Sequence, residues 1–230
     1  MPMNLPKIDT SNLLDKTYMI LKDRIVRREF KPNQKLSIPE LAAQLGVSRT
    51  PIRDALNRLE MDGLVKTISK VGTFVNAIEI DDLLDIIDTR LMLESWVAEK
   101  LPEMPAAALA AKVAELQEIL KQASAALEDL PLESYLKTDY NLQFHIAFVK
   151  LGGNKRNVEL YLAMMNYHFL GVEQSLFTKE MVTCALQQHE AIVDALKDRD
   201  IARLKAAIRL HLDDSKDRLI KRLQENGGQI

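Results

Sequence analysis

The sequence predicts a mainly α protein in two parts: a small helical unit closed by a β-hairpin, then an all-α antiparallel six-helix bundle. Three observations predict it. Apolar residues recur at helical spacing along most of the chain. A single stretch is rich in Val, Ile, Thr and Phe. Eight glycines and 5% aromatic residues, in a chain full of Ala, Leu, Glu and Lys, favour helix over sheet. At 230 residues there is room for one large or two ordinary domains.

The first dozen residues, MPMNLPKIDTSN, read as a mobile arm. A helix follows over about 12–30, because Leu14, Tyr18, Leu21 and Ile25 repeat on one face. Pro32 breaks it. Ser37 then opens a second, short helix as N-cap, and Glu40 completes a capping box. Pro39 falls in its first turn, where a missing N–H costs nothing, and Gly46 ends it. Ser48 caps a third helix whose buried side is Ile52, Leu56 and Leu59, and Gly63 terminates it. LVKTISKVGTFVNAI, residues 64–78, is the β-rich stretch. It reads as a hairpin turning at Lys70-Val71-Gly72, with glycine supplying the unusual dihedral. Helix, short helix, turn, helix and hairpin is the order of a winged helix-turn-helix, here residues 1–78.

Residues 79–230 read as helix throughout: 80–101, 106–128, 132–151, 154–173, 178–197 and 200–225. The breaks fall at Pro102 and Pro105, Pro131, Gly152-Gly153 and the polar turn 197–200. Long helices with short connections suggest an antiparallel bundle.

Composition excludes several classes. Apolar content of 47% with 28% charged residues fits a soluble globular protein. No apolar run approaches the roughly 20 residues of a membrane span. The N-terminus lacks the pattern of a signal peptide, so a cytoplasmic location is expected. One cysteine, Cys184, excludes an intrachain disulfide framework and a Cys-rich zinc site. Dinucleotide, Walker and G-x-S-x-G signatures are absent. The net charge of −2 hides an asymmetry: residues 1–76 carry 13 basic against 8 acidic side chains (+5), and the rest 18 against 25 (−7). A basic unit joined to an acidic one suggests two jobs.

In the basic part, Arg49, Arg53 and Asn57 share one face of the third helix, roughly opposite Ile52 and Leu59. Ser48 and Thr50 stand at its N-terminus, where hydroxyls and free N–H groups suit a phosphate. Arginines there can read guanine in a major groove, and Lys70 beside Gly72 can approach the backbone or minor groove. The other reading is a solvated face whose arginines pair with Asp54 or Glu60.

LSIPELAAQLGVSRTPIRDALNRLEMDGLV followed by VGTFV resembles the N-terminal domain of GntR-type bacterial transcription regulators. The likeness covers about residues 10–78. It implies a winged helix that binds double-stranded DNA, with Arg49 and Arg53 as principal contacts, Ser48 and Thr50 beside them, and Lys70 and Gly72 on the wing. Two positions depart from the family pattern. Pro39 stands where an arginine is frequent, and Val71 where a basic residue often precedes the wing glycine.

All four histidines lie in the helical part. His145, His189 and His211 sit on apolar stripes of three different helices, so their imidazoles can converge inside the bundle. Such a set can hold Zn, Ni, Co or Mn with a position left open. Equally, each can be a satisfied core residue, the reading given to His168 near Met164, Met165 and Phe169. DTRLMLESWVAEKL, NLQFHIAFVKLGGN and QQHEAIVDALKDRDIARLKAAIRLHLDDS resemble the FCD domain, the ligand-sensing domain named after the C-terminal part of FadR, including its six-helix VanR-like group. The likeness covers about residues 80–225. It implies a divalent metal such as Zn, Ni or Mn held by His145, His189 and His211 together with position 141. The family residue there is Asp; this chain has Asn141, one turn before His145, which can ligate but brings no charge. Asp139, six residues before His145, points elsewhere on a continuous helix. Arg90 matches a frequent arginine and could hold an effector carboxylate, or pair with Glu94 on the helix surface.

Together these features point to a ligand-responsive transcription regulator rather than an enzyme. The resemblance implies a homodimer on a roughly palindromic operator, a small organic or sugar acid as effector, and repression relieved by that effector. Two other readings of the bundle stand beside this: a metal-dependent enzyme using the three histidines, and a purely structural support for the DNA-binding unit.

Overall fold

The computed structural model describes residues 11–26, 29–77, 80–171 and 177–225. The chain forms two compact units, Met1–Ile78 and Glu79–Ile230. No helix among the described residues is long and apolar enough to cross a membrane.

The first unit runs α1 (Ser11–Val26), β1 (Lys35–Leu36), α2 (Ile38–Leu45), α3 (Arg49–Met61), β2 (Val65–Ile68) and β3 (Gly72–Val75). The proposed arm falls outside the described residues except for its last two. Tyr18, Leu21 and Ile25 of α1 are buried, as are Ile52, Ala55, Leu56 and Leu59 of α3, and these stripes pack together. Around that seam Arg58 lies over the Tyr18 ring at 4.0 Å and pairs with Asp15, while the Tyr18 hydroxyl donates to Asp62. Burial, reinforced by Asp62, pushes the Tyr18 phenol up to about 12. α2 ends at Gly46, which adopts the left-handed conformation at φ +64°. Ser37 and Ser48 stand at the N-cap positions, but neither side chain makes a capping hydrogen bond. The capping box expected from Ser37 and Glu40 therefore does not form.

The wing is a three-stranded antiparallel sheet in the order β1-β3-β2, one strand more than the expected hairpin. Thr67 pairs with Thr73 and Ile68 with Gly72, while Lys35 pairs with Phe74. The turn takes two positive dihedrals, at Lys70 (φ +62°) as well as Gly72 (φ +142°). A Cβ at Gly72 would lie 2.7 Å from Lys35 Cε, the far end of a flexible side chain that can move aside, so it is the dihedral that calls for glycine.

The second unit comprises α4 (Ile80–Lys100), α5 (Ala106–Asp129), α6 (Leu132–Leu136), α7 (Tyr140–Leu151), α8 (Lys155–Gly171), α9 (Lys179–Lys197) and α10 (Ile201–Glu225). A short 3-10 turn, Leu101–Glu103, follows α4. The expected helix 132–151 is two elements, because Asp139 takes φ +52° and caps α7, accepting from the Leu142 N–H at 3.3 Å. Asp tolerates that conformation and its carboxylate satisfies one of the free donors of the new helix. The core draws Val97 from α4 and Leu101 from the 3-10 turn after it, Leu116 from α5, Phe144 and Phe148 from α7, and Ile192, Leu196, Leu204 and Ile208 from α9 and α10.

Candidate functional site

The α3 surface separates cleanly into two sides. Its apolar stripe is buried, and Ser48, Arg49, Thr50, Arg53 and Asn57 are all exposed. Among the described residues Arg49 and Arg53 form no ion pair. Glu60, one partner the solvated-face reading assigns them, instead accepts from the Thr67 N–H at 2.6 Å and from its hydroxyl at 3.0 Å. Lys70 is exposed at the wing tip. Lys35 was not singled out from the sequence. β1 is too short to show alternation, yet its pairing with β3 lays this exposed lysine across Gly72.

In the second unit α7, α9 and α10 bring His145, His189 and His211 together, all fully buried. Their Nε2 atoms converge: His145 to His211 is 3.1 Å, His145 to His189 is 3.2 Å, and His189 to His211 is 3.3 Å. Nitrogen ligands at about 2.1 Å from one zinc-class ion lie roughly 3.0–3.4 Å apart for angles between right and tetrahedral. The three imidazoles thus fit a single cation in geometry.

Their outer nitrogens differ. His211 Nδ1 donates to Gln188 Oε1 at 2.9 Å, which places the proton on Nδ1 and leaves its Nε2 lone pair inward, as an amide partner of a metal-binding histidine does. His145 Nδ1 lies 3.3 Å from Glu94 Oε2, an electrostatic contact without hydrogen-bond geometry. Gln188 is itself fixed, donating to Asp214 at 2.8 Å, and Asp214 accepts from Arg218 Nε at 3.0 Å. His189 Nδ1 has no hydrogen-bond partner among the described residues, and Phe144 stacks on that ring at 4.1 Å. Burial holds His189 and His211 well below the ordinary histidine range, with neighbouring imidazoles and Arg90 adding to it. Unprotonated rings are what a cation requires.

Arg90 and Glu94 are also buried here, not on the helix surface. Arg90 Nε donates to Glu94 Oε1 at 3.2 Å, and Arg90 Nη2 donates to His145 Nε2 at 2.9 Å. Tyr161 donates to Glu94 Oε1 at 2.8 Å. Burial opposes the Arg90 charge, but Tyr161 and Glu94 outweigh it and raise its pKa. Burial likewise pushes the Tyr161 phenol well above its ordinary value. Glu94, Tyr161 and Gln188 were not recognised as site residues from the sequence. Only the order of the helices in space brings them to the histidines.

A cavity of about 180 Å³ opens beside this cluster, lined by Arg90, His189, His211, Asn141, Leu186 and Met165 among others. Asn141 is exposed on its wall. Asp139 lines the same cavity, because the break before α7 takes it off the helical wheel that pointed it away. Burial pushes its carboxyl up to about 6. His168 lies on α8, but its side chain is outside the described residues.

Comparison with known proteins agrees with both halves. Residues 13–75 match "Bacterial regulatory proteins, gntR family", and residues 85–214 match the FCD domain. An HTH-type transcriptional regulator in an unstable DNA locus of Streptomyces ambofaciens is 32% identical over 200 residues, covering 85% of this chain and 80% of the relative. The HTH-type transcriptional repressor GlaR of Escherichia coli (strain K12) is 26% identical over 202 residues, covering 85% of this chain and 90% of GlaR. The crystal structure of a GntR regulator from Rhodococcus sp. RHA1 shares the fold, with a TM-score of 0.71 at 24% identity over 91% of this chain and 98% of that one. With an N-terminal gntR match, an FCD match over more than half its length and a regulator relative matched over most of both chains, this chain belongs to the gntR family of FCD-domain regulators: it is a DNA-binding transcription regulator, not an enzyme.

Proposed function

We propose that this regulator represses its target by gripping DNA with α3 and the wing, and that a small carboxylic acid bound in the helical unit relieves repression. The observation that carries the sensing half is the convergence of three Nε2 atoms within 3.3 Å beside a cavity that His189 and His211 line. His145, His189 and His211 would hold a divalent cation such as Zn, Ni or Mn, with Asn141 as a neutral fourth ligand. The cation would supply a Lewis-acid anchor for an effector carboxylate. Gln188 orients the His211 ring, Glu94 sets a negative charge beside His145, and Arg90 offers its guanidinium to the acid. GlaR is a repressor by name, which supports the same sign here.

On DNA, Arg49 and Arg53 read base edges in the major groove while Ser48 and Thr50 take phosphate at the helix N-terminus. Lys70 and Gly72 bring the wing to the neighbouring backbone, and Lys35 adds an ammonium beside them. That lysine makes good the missing basic residue at Val71. A homodimer would place two such units on a roughly palindromic operator.

The test is selection of an operator from random duplexes, followed by anisotropy titration across salt. Arg49→Ala and Arg53→Ala should each weaken specific binding by about 1–3 kcal/mol. Lys35→Ala should weaken all sequences alike and lower the salt slope by about one. Operator binding indifferent to both arginines would refute the surface as drawn.

A further inference from the structure

We propose that Arg90 couples cation binding to carboxylate binding. Its guanidinium holds the His145 lone pair in the cation-free site, and turns to a carboxylate in the cavity once a cation takes that lone pair. This rests on the metal reading above and concerns how that site is controlled.

A single lone pair sets the stoichiometry at His145. An unprotonated imidazole nitrogen has one in-plane lone pair. His145 Nε2 receives an Arg90 N–H at 2.9 Å, and the same atom faces His211 and His189 at 3.1 and 3.2 Å. It cannot serve the guanidinium and a shared cation together, so one must displace the other.

Charge balance points the same way. Arg90 and Glu94 cancel, and both are buried. A divalent cation would leave a buried excess of two positive charges. The Asp that would reduce it is Asn141 in this chain. Asp214 is paired with Arg218. Asp139 lines the cavity and keeps its carboxylate while accepting from the Leu142 N–H, but one such charge offsets only half of a divalent cation's excess. Part of the missing negative charge therefore has to come from the ligand.

The Arg90 side chain also has the reach for such an exchange. Arg90 is tethered through Nε to Glu94 at 3.2 Å and also lines the cavity. Its terminal nitrogens can swing from His145 to the cavity about that tether, and their planar fork matches a carboxylate. Cation binding frees a donor that the acid then uses, and the acid supplies the charge the cation lacks. By linkage each must raise the affinity of the other by the same factor.

The experiment measures Co2+ binding to the full chain by equilibrium dialysis, with the visible absorption of Co2+ reporting imidazole coordination and acetate as the carboxylate. Saturating acetate should tighten Co2+ binding roughly tenfold. Asn141→Asp, at an exposed position, should tighten Co2+ binding without acetate and shrink the acetate factor toward one. Arg90→Gln should do the same by removing the competitor. Arg90→Lys, which keeps the charge beside Glu94 if the neutral variant fails to fold, should lose the acetate factor. An acetate factor of one in the wild type, or one left unchanged by both Arg90→Lys and Asn141→Asp, overturns the coupling while the metal site stands. Absence of His189-dependent Co2+ binding in every form, with and without acetate, overturns the metal site itself and the coupling with it.

Discussion

Glu94 is fully buried, and Arg90, Tyr161 and His145 all reach it. Removing one partner of a buried ion pair strands the other charge away from water. Glu94→Gln keeps an acceptor for Tyr161 but leaves Arg90 uncompensated. It should cost about 3 kcal/mol, measured by urea denaturation. Asp214 sets a different expectation. Burial raises its carboxyl, but hydrogen bonds from Gln188 and Arg218 outweigh this and hold it below the ordinary range. A depressed pKa gives stability that is present above the unfolded carboxylate value of about 3.9 and is lost as pH falls through the folded value. Asp214→Asn should therefore melt below wild type at pH 7, with the gap closing in acid. A gap that widened in acid would mean that the carboxylate is not favoured by its partners. The histidines were legible from sequence because each sits on an apolar stripe. Glu94 was read as a surface partner of Arg90, since spacing alone cannot say that their face of α4 is covered by α7 and α8.

At the scale of elements, the turn after α7 shows what the chain can and cannot announce. Gly152 and Gly153 were read together as one break, but they serve differently. A Cβ at Gly152 would land in the ring of Trp96 on α4, whereas at Gly153 it would meet nothing within 4 Å. Gly153 instead needs its positive φ of +71°. Gly152→Ala should cost about 2 kcal/mol by overpacking, while Gly153→Ala should cost about 1 kcal/mol, through backbone strain alone. Equal losses in denaturant midpoint would contradict this division of roles. β1 escaped notice because a two-residue strand has no period to detect. The break at Asp139 was hidden because Leu136, Tyr140 and Phe144 keep helical spacing across it; only the dihedral at Asp139 reveals the cap.

For the whole molecule, the split of +5 and −7 along the chain corresponds to two units with different chemistry. The first presents Arg49, Arg53, Lys35 and Lys70 without ion-pair partners among the described residues. The second buries one ion pair, Arg90 and Glu94, against the histidines. Element order, the recognition helix and the three histidines could be read from the residues because local periodicity and capping carry them. The cavity, the role of Glu94 and the contest between Arg90 and a cation for His145 depend on helix packing, which no local pattern encodes. If occupancy of the histidine site controls DNA affinity, operator affinity must respond to Co2+ plus acetate in the wild type and not in His189→Gln. The wild type should shift at least about fivefold, and the variant should bind operator as the unliganded wild type does, with or without them. An unmoved wild-type affinity, or an equal shift in His189→Gln, would contradict such control.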